Sequence, residues 1–197
     1  MTQAAIKKSF PLWPIALLCI AAMIGGAAYL FYFDTYHFAV VQPGVLYRMG
    51  MRNTRELQNT IRQVHPKTVV CLVTDEEVND PSKGDFQGEF KVLQNDGITL
   101  HRIPMRENQP PTQQQIDEFL GLVADKNNQP VIVHCAQGVV RTGMMVAAYD
   151  QRVLGFDRQQ ALDHVQIFGK GHQRADVVRQ FINDYYTQQS RQVAATQ

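Results

Sequence analysis

Hydrophobic and polar positions follow one another along this chain in blocks whose period changes several times. The first block has no polar face: residues 12–33 are 22 consecutive positions without a charge. At about 1.5 Å of rise per residue, such a run is long enough to cross a bilayer as a helix. Residues 34–44 then read as a linker. Residues 45–48 predict a short strand. Leu57, Ile61 and Val64 recur at helical spacing behind Asn53 and Glu56, which are placed as in a capping box. The β-branched run 68–73 predicts a buried strand, and the polar stretch 75–84 a loop. Phe86, Phe90 and Leu93 predict a helix ending near Gly97, followed by a strand over 98–103. After a loop over 104–111, Thr112 and Gln115 open a helix with Ile116, Phe119, Leu120 and Val123 on one stripe. A strand over 131–134 precedes a helix over 142–154. Asp157 with Gln160 opens another helix, with Leu162, Val165 and Phe168 inward. A last helix is expected over 174–188, then a disordered tail over 189–197.

Strands alternating with helices predict an α/β domain over 45–188: a central, mostly parallel sheet of four to five strands flanked by helices. Residues 1–11 are a short tail ahead of the apolar run. Lys7 and Lys8 before that run, Asp34 after it, and Trp13, Tyr29, Tyr32 and Tyr36 near its ends suit a single transmembrane anchor. The two lysines place the N-terminus in the cytoplasm and the domain outside it, in the periplasm of a bacterium. A signal peptide cleaved near Gly26, Ala27 and Ala28 is the alternative. Cys19 would then be a small apolar residue within the span.

A net charge of +1 with scattered Lys and Arg gives no case for nucleic acid. Three widely spaced cysteines make neither a disulfide framework nor a zinc site. The chemistry concentrates in one loop, His134-Cys135-Ala136-Gln137-Gly138-Val139-Val140-Arg141-Thr142-Gly143. A buried strand precedes it and a helix follows. The first amides of a helix lack internal partners and its dipole favours negative charge, so this position suits an anion. Gly138 permits a tight turn, Arg141 offers a planar fork for two phosphate oxygens, and the same field favours a Cys135 thiolate.

The spacing Cys-x5-Arg-Thr-Gly, with Val133-His134 before it, resembles the signature of the protein tyrosine phosphatase superfamily. Over residues 45–186 the chain is most similar to its compact, bacterial-type dual-specificity branch. The resemblance implies a metal-independent phosphomonoester hydrolase without a cofactor, in which Cys135 attacks phosphorus and carries a phosphocysteine. It implies that Arg141 and the amides of Ala136, Gln137, Gly138, Val139, Val140 and Arg141 hold the phosphate oxygens. Thr142 would place its hydroxyl on the sulfur, or else cap the helix, and His134 would order the loop. The family takes its general acid, an aspartate, from a loop about thirty residues earlier. Here that loop holds Glu107 and no aspartate, with Asp117 and Asp75 as alternatives. The substrates implied are phosphoproteins, or a phosphorylated lipid or small molecule near the membrane; a poorly active phosphate-binding module is the other reading. Cys71 either packs in its strand or forms a reversible disulfide with Cys135. Lys170, His172 and Arg174 form a basic cluster that could hold a second anionic group.

Overall fold

The computed structural model describes residues 13–80, 82, 85–165 and 172–195, without the side chains of 28, 30–33, 172–174 and 192–195. The chain divides into Met1–Asp34 and Thr35–Gln197.

The first unit contains helix α1, Trp13–Phe33. Its described side chains are exposed, Trp13, Ile15, Leu17 and Leu18 among them. The expected transmembrane span is not found: among the described residues no helix is long and apolar enough to cross a membrane.

In the second unit the elements are β1 Ala39–Gln42, β2 Leu46–Gly50, α2 Thr54–Val64, β3 Thr68–Cys71, α3 Asp75–Val78, α4 Phe86–Asn95, β4 Thr99–Arg102, α5 Gln113–Ala124, β5 Val131–Cys135, α6 Val140–Arg152, α7 Arg158–His164 and α8 His172–Ala195. The five strands form one sheet in the order β1-β2-β5-β3-β4. β2, β5, β3 and β4 are parallel, and β1 is antiparallel to β2. The sheet is therefore mixed, because β1 lies where a linker was expected. Its four residues alternate, Ala39 and Val41 inward and Val40 outward. That is too short a pattern to declare itself before β2 offers an edge to pair with.

β5 and β3 are buried along their whole length, as parallel strands covered on both faces must be. α6 packs on β5 and β2, with α5, α7 and α8 against it, while α4 packs on β4 and α2 on α4. Two helical layers thus enclose the sheet, and the carboxyl ends of β2, β5 and β3 converge at one edge of it, where open α/β sheets bind ligands.

The expected caps at Thr112 and Asp157 form complete capping boxes with Gln115 and Gln160. Asn53 caps α2 through the Glu56 amide at 3.1 Å, but the Glu56 carboxylate accepts from the Arg52 amide, one residue ahead of the cap, at 3.0 Å. The stretch read as a loop over 75–84 contains α3, opened by a capping box of Thr74 and Glu77. The last helix runs to Ala195, past the end expected at Gln188 and through most of the expected tail.

Candidate active site

The loop that begins after Cys135 joins the end of β5 to the start of α6, where the sequence places it. Cys135 is the last residue of β5, and α6 begins at Val140. α2, α3, α4, α5 and α7 each have a side-chain cap, from Asn53, Thr74, Asp85, Thr112 and Asp157. α6 has none: its cap position is Val139. The first amides of α6 are therefore left without the side-chain oxygen that serves those five helices, which suits a helix start that receives an anion. Thr142, weighed from sequence as a cap, lies inside the first turn and is fully buried.

Gly138 has φ of 67°, a left-handed conformation that glycine adopts without strain. Its N–H donates to Cys135 Sγ at 3.1 Å. A Cβ at this position would collide with the Met49 carbonyl and the Gly50 amide, so the loop is pressed against β2. Further bonds hold it there: the Met51 amide donates to Ala136 O at 3.0 Å, and His37 Nδ1 sits 2.7 Å from Gln137 O.

Cys135 is buried, which by itself would raise its pKa. The Arg141 charge, the hydroxyl and amide of Thr142 and the Gly138 amide outweigh burial and bring the thiol below its ordinary value. Arg141 is also buried, and it is held by Glu77: Nη1 reaches Oε2 at 2.5 Å and Nη2 reaches Oε1 at 2.8 Å. Nη1 donates as well to the Met105 carbonyl at 3.2 Å. The Glu77 Oε2 that takes Arg141 also accepts the Thr74 amide at 2.9 Å. One carboxylate thus caps α3 and fixes Arg141. Burial works against the Glu77 charge, but Arg141 and the Thr74 amide prevail and hold its pKa below the usual carboxylate value.

His134 lies beneath the loop, fully buried, with Nε2 at 2.6 Å from Oε1 of the equally buried Glu89 on α4. Burial opposes a charged imidazole here, yet the Glu89 carboxylate and Cys71 raise its pKa well above the ordinary value. Cys71 donates to the other Glu89 oxygen at 3.7 Å. Cys71 and His134 are register partners in β3 and β5, so their side chains share a face, while Cys135 points to the opposite one. Both Cys71 and Cys135 are free thiols, and this register separates them, against the disulfide weighed from sequence. Cys71, Glu89 and His134 have donor atoms within 4.8 Å of one another. They form a group that could ligate a metal by type, but their hydrogen bonds to one another already occupy Glu89 on both oxygens.

A cleft of about 360 Å³ opens over the loop, lined by Tyr36, Arg52, Glu77, Glu107, Cys135 and Arg141 among others. Glu107 is exposed on its rim, near enough to support the Arg141 charge. The alternatives lie elsewhere. Asp117 accepts from Gln113 Nε2 at 2.8 Å on α5, and Asp75 takes Arg102 at 2.5 Å; neither lines the cleft. Of the basic cluster, Lys170 and the side chains of His172 and Arg174 lie outside the described residues.

Three charged residues of this site are not legible in the sequence: Glu89 and Arg48, which are buried, and Glu77, which is half-buried. Glu89 sits on the apolar stripe of α4, three residues after Phe86 and four before Leu93, and a charge on a buried stripe signals a hidden partner. Glu77 completes a Thr-x-x-Glu capping box inside a presumed loop. Arg48 is a lone charge within a buried strand.

A cysteine at the foot of an uncapped helix, cradled by loop amides and a held arginine at the carboxyl edge of an α/β sheet, defines a cysteine-phosphatase domain. The sequence profile of one family matches residues 43–183, described as PTP-NADK, the DSP-PTPase phosphatase fused to NAD+ kinase. That is most of the chain, and the chain belongs to this phosphatase family. It is 28% identical over 126 residues to the dual specificity protein phosphatase TpbA of Pseudomonas aeruginosa, covering 64% of this chain and 52% of that protein. The chain thus spans about half the length of that curated relative. A 54-residue stretch is 35% identical to chloroplastic NAD kinase 2 of Arabidopsis thaliana, covering 27% of this chain and 6% of that protein. Among solved structures, the catalytic core of the PP-IP phosphatase SIW14 of S. cerevisiae, in complex with citrate, superposes with a TM-score of 0.62 at 21% identity, covering 83% of this chain and 93% of that one. P. aeruginosa TpbA with phosphotyrosine gives 0.58 at 22% identity, covering 74% and 82%.

Proposed function

We propose that this chain hydrolyses phosphomonoesters through a phosphocysteine on Cys135. The observation that carries the reading is the Gly138 amide on the Cys135 sulfur at 3.1 Å, beneath an uncapped helix start and in the same cleft as Arg141. Cys135 attacks phosphorus in line, and the ester oxygen leaves. Arg141 and the amides from Ala136 to Arg141 hold the equatorial oxygens, where charge develops. Glu107 protonates the leaving oxygen and then takes a proton from the water that cleaves the phosphocysteine. Thr142 favours the departing thiolate. His134 orders the strand end beneath the loop, because its ring is committed to Glu89 and buried away from the cleft.

The substrate class this reading favours is phosphotyrosine or phosphoserine/threonine on proteins. The loop has no lysine or arginine between Cys135 and Arg141, so it offers no extra cation for a densely phosphorylated ring. A phosphorylated lipid is the second reading, supported by the exposed apolar side chains of α1. With the uncharged run over 12–33 and Lys7 and Lys8 before it, these also support a membrane anchor with the domain on the extracytoplasmic side. Release of the full chain from membranes by alkaline carbonate would overturn the anchor.

The test of function is phosphate release from para-nitrophenyl phosphate by reduced full-length protein in chelator. Cys135→Ser should abolish turnover. Glu107→Gln should lose about 10²–10³-fold, more for poor leaving groups than for good ones. Phosphate binding without turnover by the wild type, on this ester and on phosphopeptides, would replace the enzyme with a phosphate-binding module.

A further inference from the structure

Arg48 is a cation buried behind the cradle, and nothing in the mechanism above uses it. It is 1% exposed and, among the described residues, one of the largest fully buried side chains. It stands on β2 opposite Val133 of β5, two positions before the pair Gly50–Cys135. In a parallel ladder that spacing puts Arg48, Val133 and Cys135 on one face of the sheet. Its Nη2 donates to the Gly138 carbonyl at 2.6 Å, and its Nη1 to the Val165 carbonyl at the end of α7. The guanidinium also lies beside the first turn of α6, with Nη2 3.8 Å from where a Cβ on Gly143 would stand.

The bond to Gly138 O has a consequence for the cradle. The peptide between Gly138 and Val139 is planar and trans, so its C=O and N–H point in opposite directions. Arg48 draws the carbonyl inward, away from the cleft, and the Val139 N–H must therefore face outward, toward the position of a phosphate oxygen. The carbonyl would otherwise be free to flip and present a lone pair to an anion. Meanwhile the amide on the other side of Gly138 already donates to the sulfur.

Resting on the phosphatase reading, we propose that Arg48 is a positioning residue of the active site. It anchors the Gly138 carbonyl so that the next amide serves the phosphate, and it supplies a second buried positive charge behind the Cys135 thiolate. Burial pushes the Arg48 pKa down to about 10, with the Cys135 and Asp150 charges opposing that shift, so the guanidinium is charged at neutral pH. Among the described residues the titratable groups facing it are Cys135 at the end of β5 and Asp150 on α6. Asp150 is hydrogen-bonded in turn to His164 Nδ1 on α7 at 3.0 Å. Burial raises the Asp150 pKa to about 6 against the pull of His164 and Arg48. A merely structural arginine, tying β2 to α7 through Val165, would stabilise the fold without touching the chemistry.

The experiment compares full-length wild type, Arg48→Met and Arg48→Lys. The pH dependence of iodoacetamide alkylation is read at Cys135 by mass spectrometry, and inorganic phosphate binding by protection of that same cysteine. Arg48→Met should raise the apparent Cys135 pKa by about one unit and weaken phosphate protection about ten-fold. Arg48→Lys keeps the charge but not the two-pronged reach. It should leave the Cys135 pKa within a few tenths of a unit of wild type, while phosphate protection still weakens several-fold. Unchanged pKa and unchanged protection in both variants overturn the proposal and leave Arg48 a fold residue. If Arg48→Met does not fold, Arg48→Lys decides: wild-type phosphate protection in that variant overturns the positioning role. Both readouts work on an enzyme that turns nothing over. A failed phosphatase assay with Arg48-dependent alkylation would therefore reject the function and keep the inference.

Discussion

Replacing Glu89 by glutamine tests whether the buried pair beneath the cradle is ionic. His134 and Glu89 are both fully buried and 2.6 Å apart. Removing one member of a buried ion pair costs about 3–5 kcal/mol when the other charge is stranded. His134 has an escape: it can release its proton and accept a neutral hydrogen bond from the new side-chain amide. The cost then depends on pH, with a sign that can be worked out. The folded pKa of His134 lies well above its ordinary value. The pair's contribution is therefore complete below about pH 6.5, the unfolded value, and is lost as pH rises through the folded pKa. The variant buries a histidine without a counter-charge, so it loses most at acid pH and least at alkaline pH. In urea titrations at pH 5.5, 7 and 8.5, Glu89→Gln should lose about 3 kcal/mol at pH 5.5, with the gap narrowing at each step. For a domain of this size that loss at acid pH is a fall in Tm of about 6–12 °C. A deficit independent of pH, or one that grows with pH, would refute the ionic pair.

Two further outcomes follow from the loop and its supports. Gly138→Ala should lower kcat by at least about 10²-fold in the phosphate-release assay, since the new Cβ meets backbone of β2 at a positive φ; near-wild-type turnover would mean the loop is held less tightly than described. Glu77→Gln should raise KM for phosphate esters about ten-fold as Arg141 loses its two-oxygen clamp. Because the Glu77 pKa is depressed in the fold, the stability difference between this variant and wild type should be present above about pH 4.3 and vanish as pH falls through the folded value. A deficit that stays constant on acidification, down to the acid limit of the folded protein, would argue against the carboxylate as its source.

What the sequence by itself determined here is local. Capping residues at Asn53, Thr112 and Asp157 set helix starts because a side-chain oxygen three residues from an orphan amide needs no distant partner. The β-branched runs of β3 and β5 declared buried strands, and the cradle loop declared its own chemistry, since Cys135, Gly138 and Arg141 lie within seven residues of one another. β1 was illegible because four alternating residues become a strand only when β2 supplies an edge.

The supporting charges were decided only by tertiary structure. Arg48 is 90 residues from Gly138, Glu77 is 64 from Arg141, and Glu89 is 45 from His134. Each is a long polar side chain at a position whose periodicity says only inside or outside. Burial of a charge is tolerable when its partner arrives from another element, and no local pattern records which element that will be. The sheet order β2-β5-β3 is what brings these partners to the loop. It sets β5 between its two neighbours, so that the strand ending in Cys135 is reached on one face by Arg48 and on the opposite face, the one that carries His134, by Glu89.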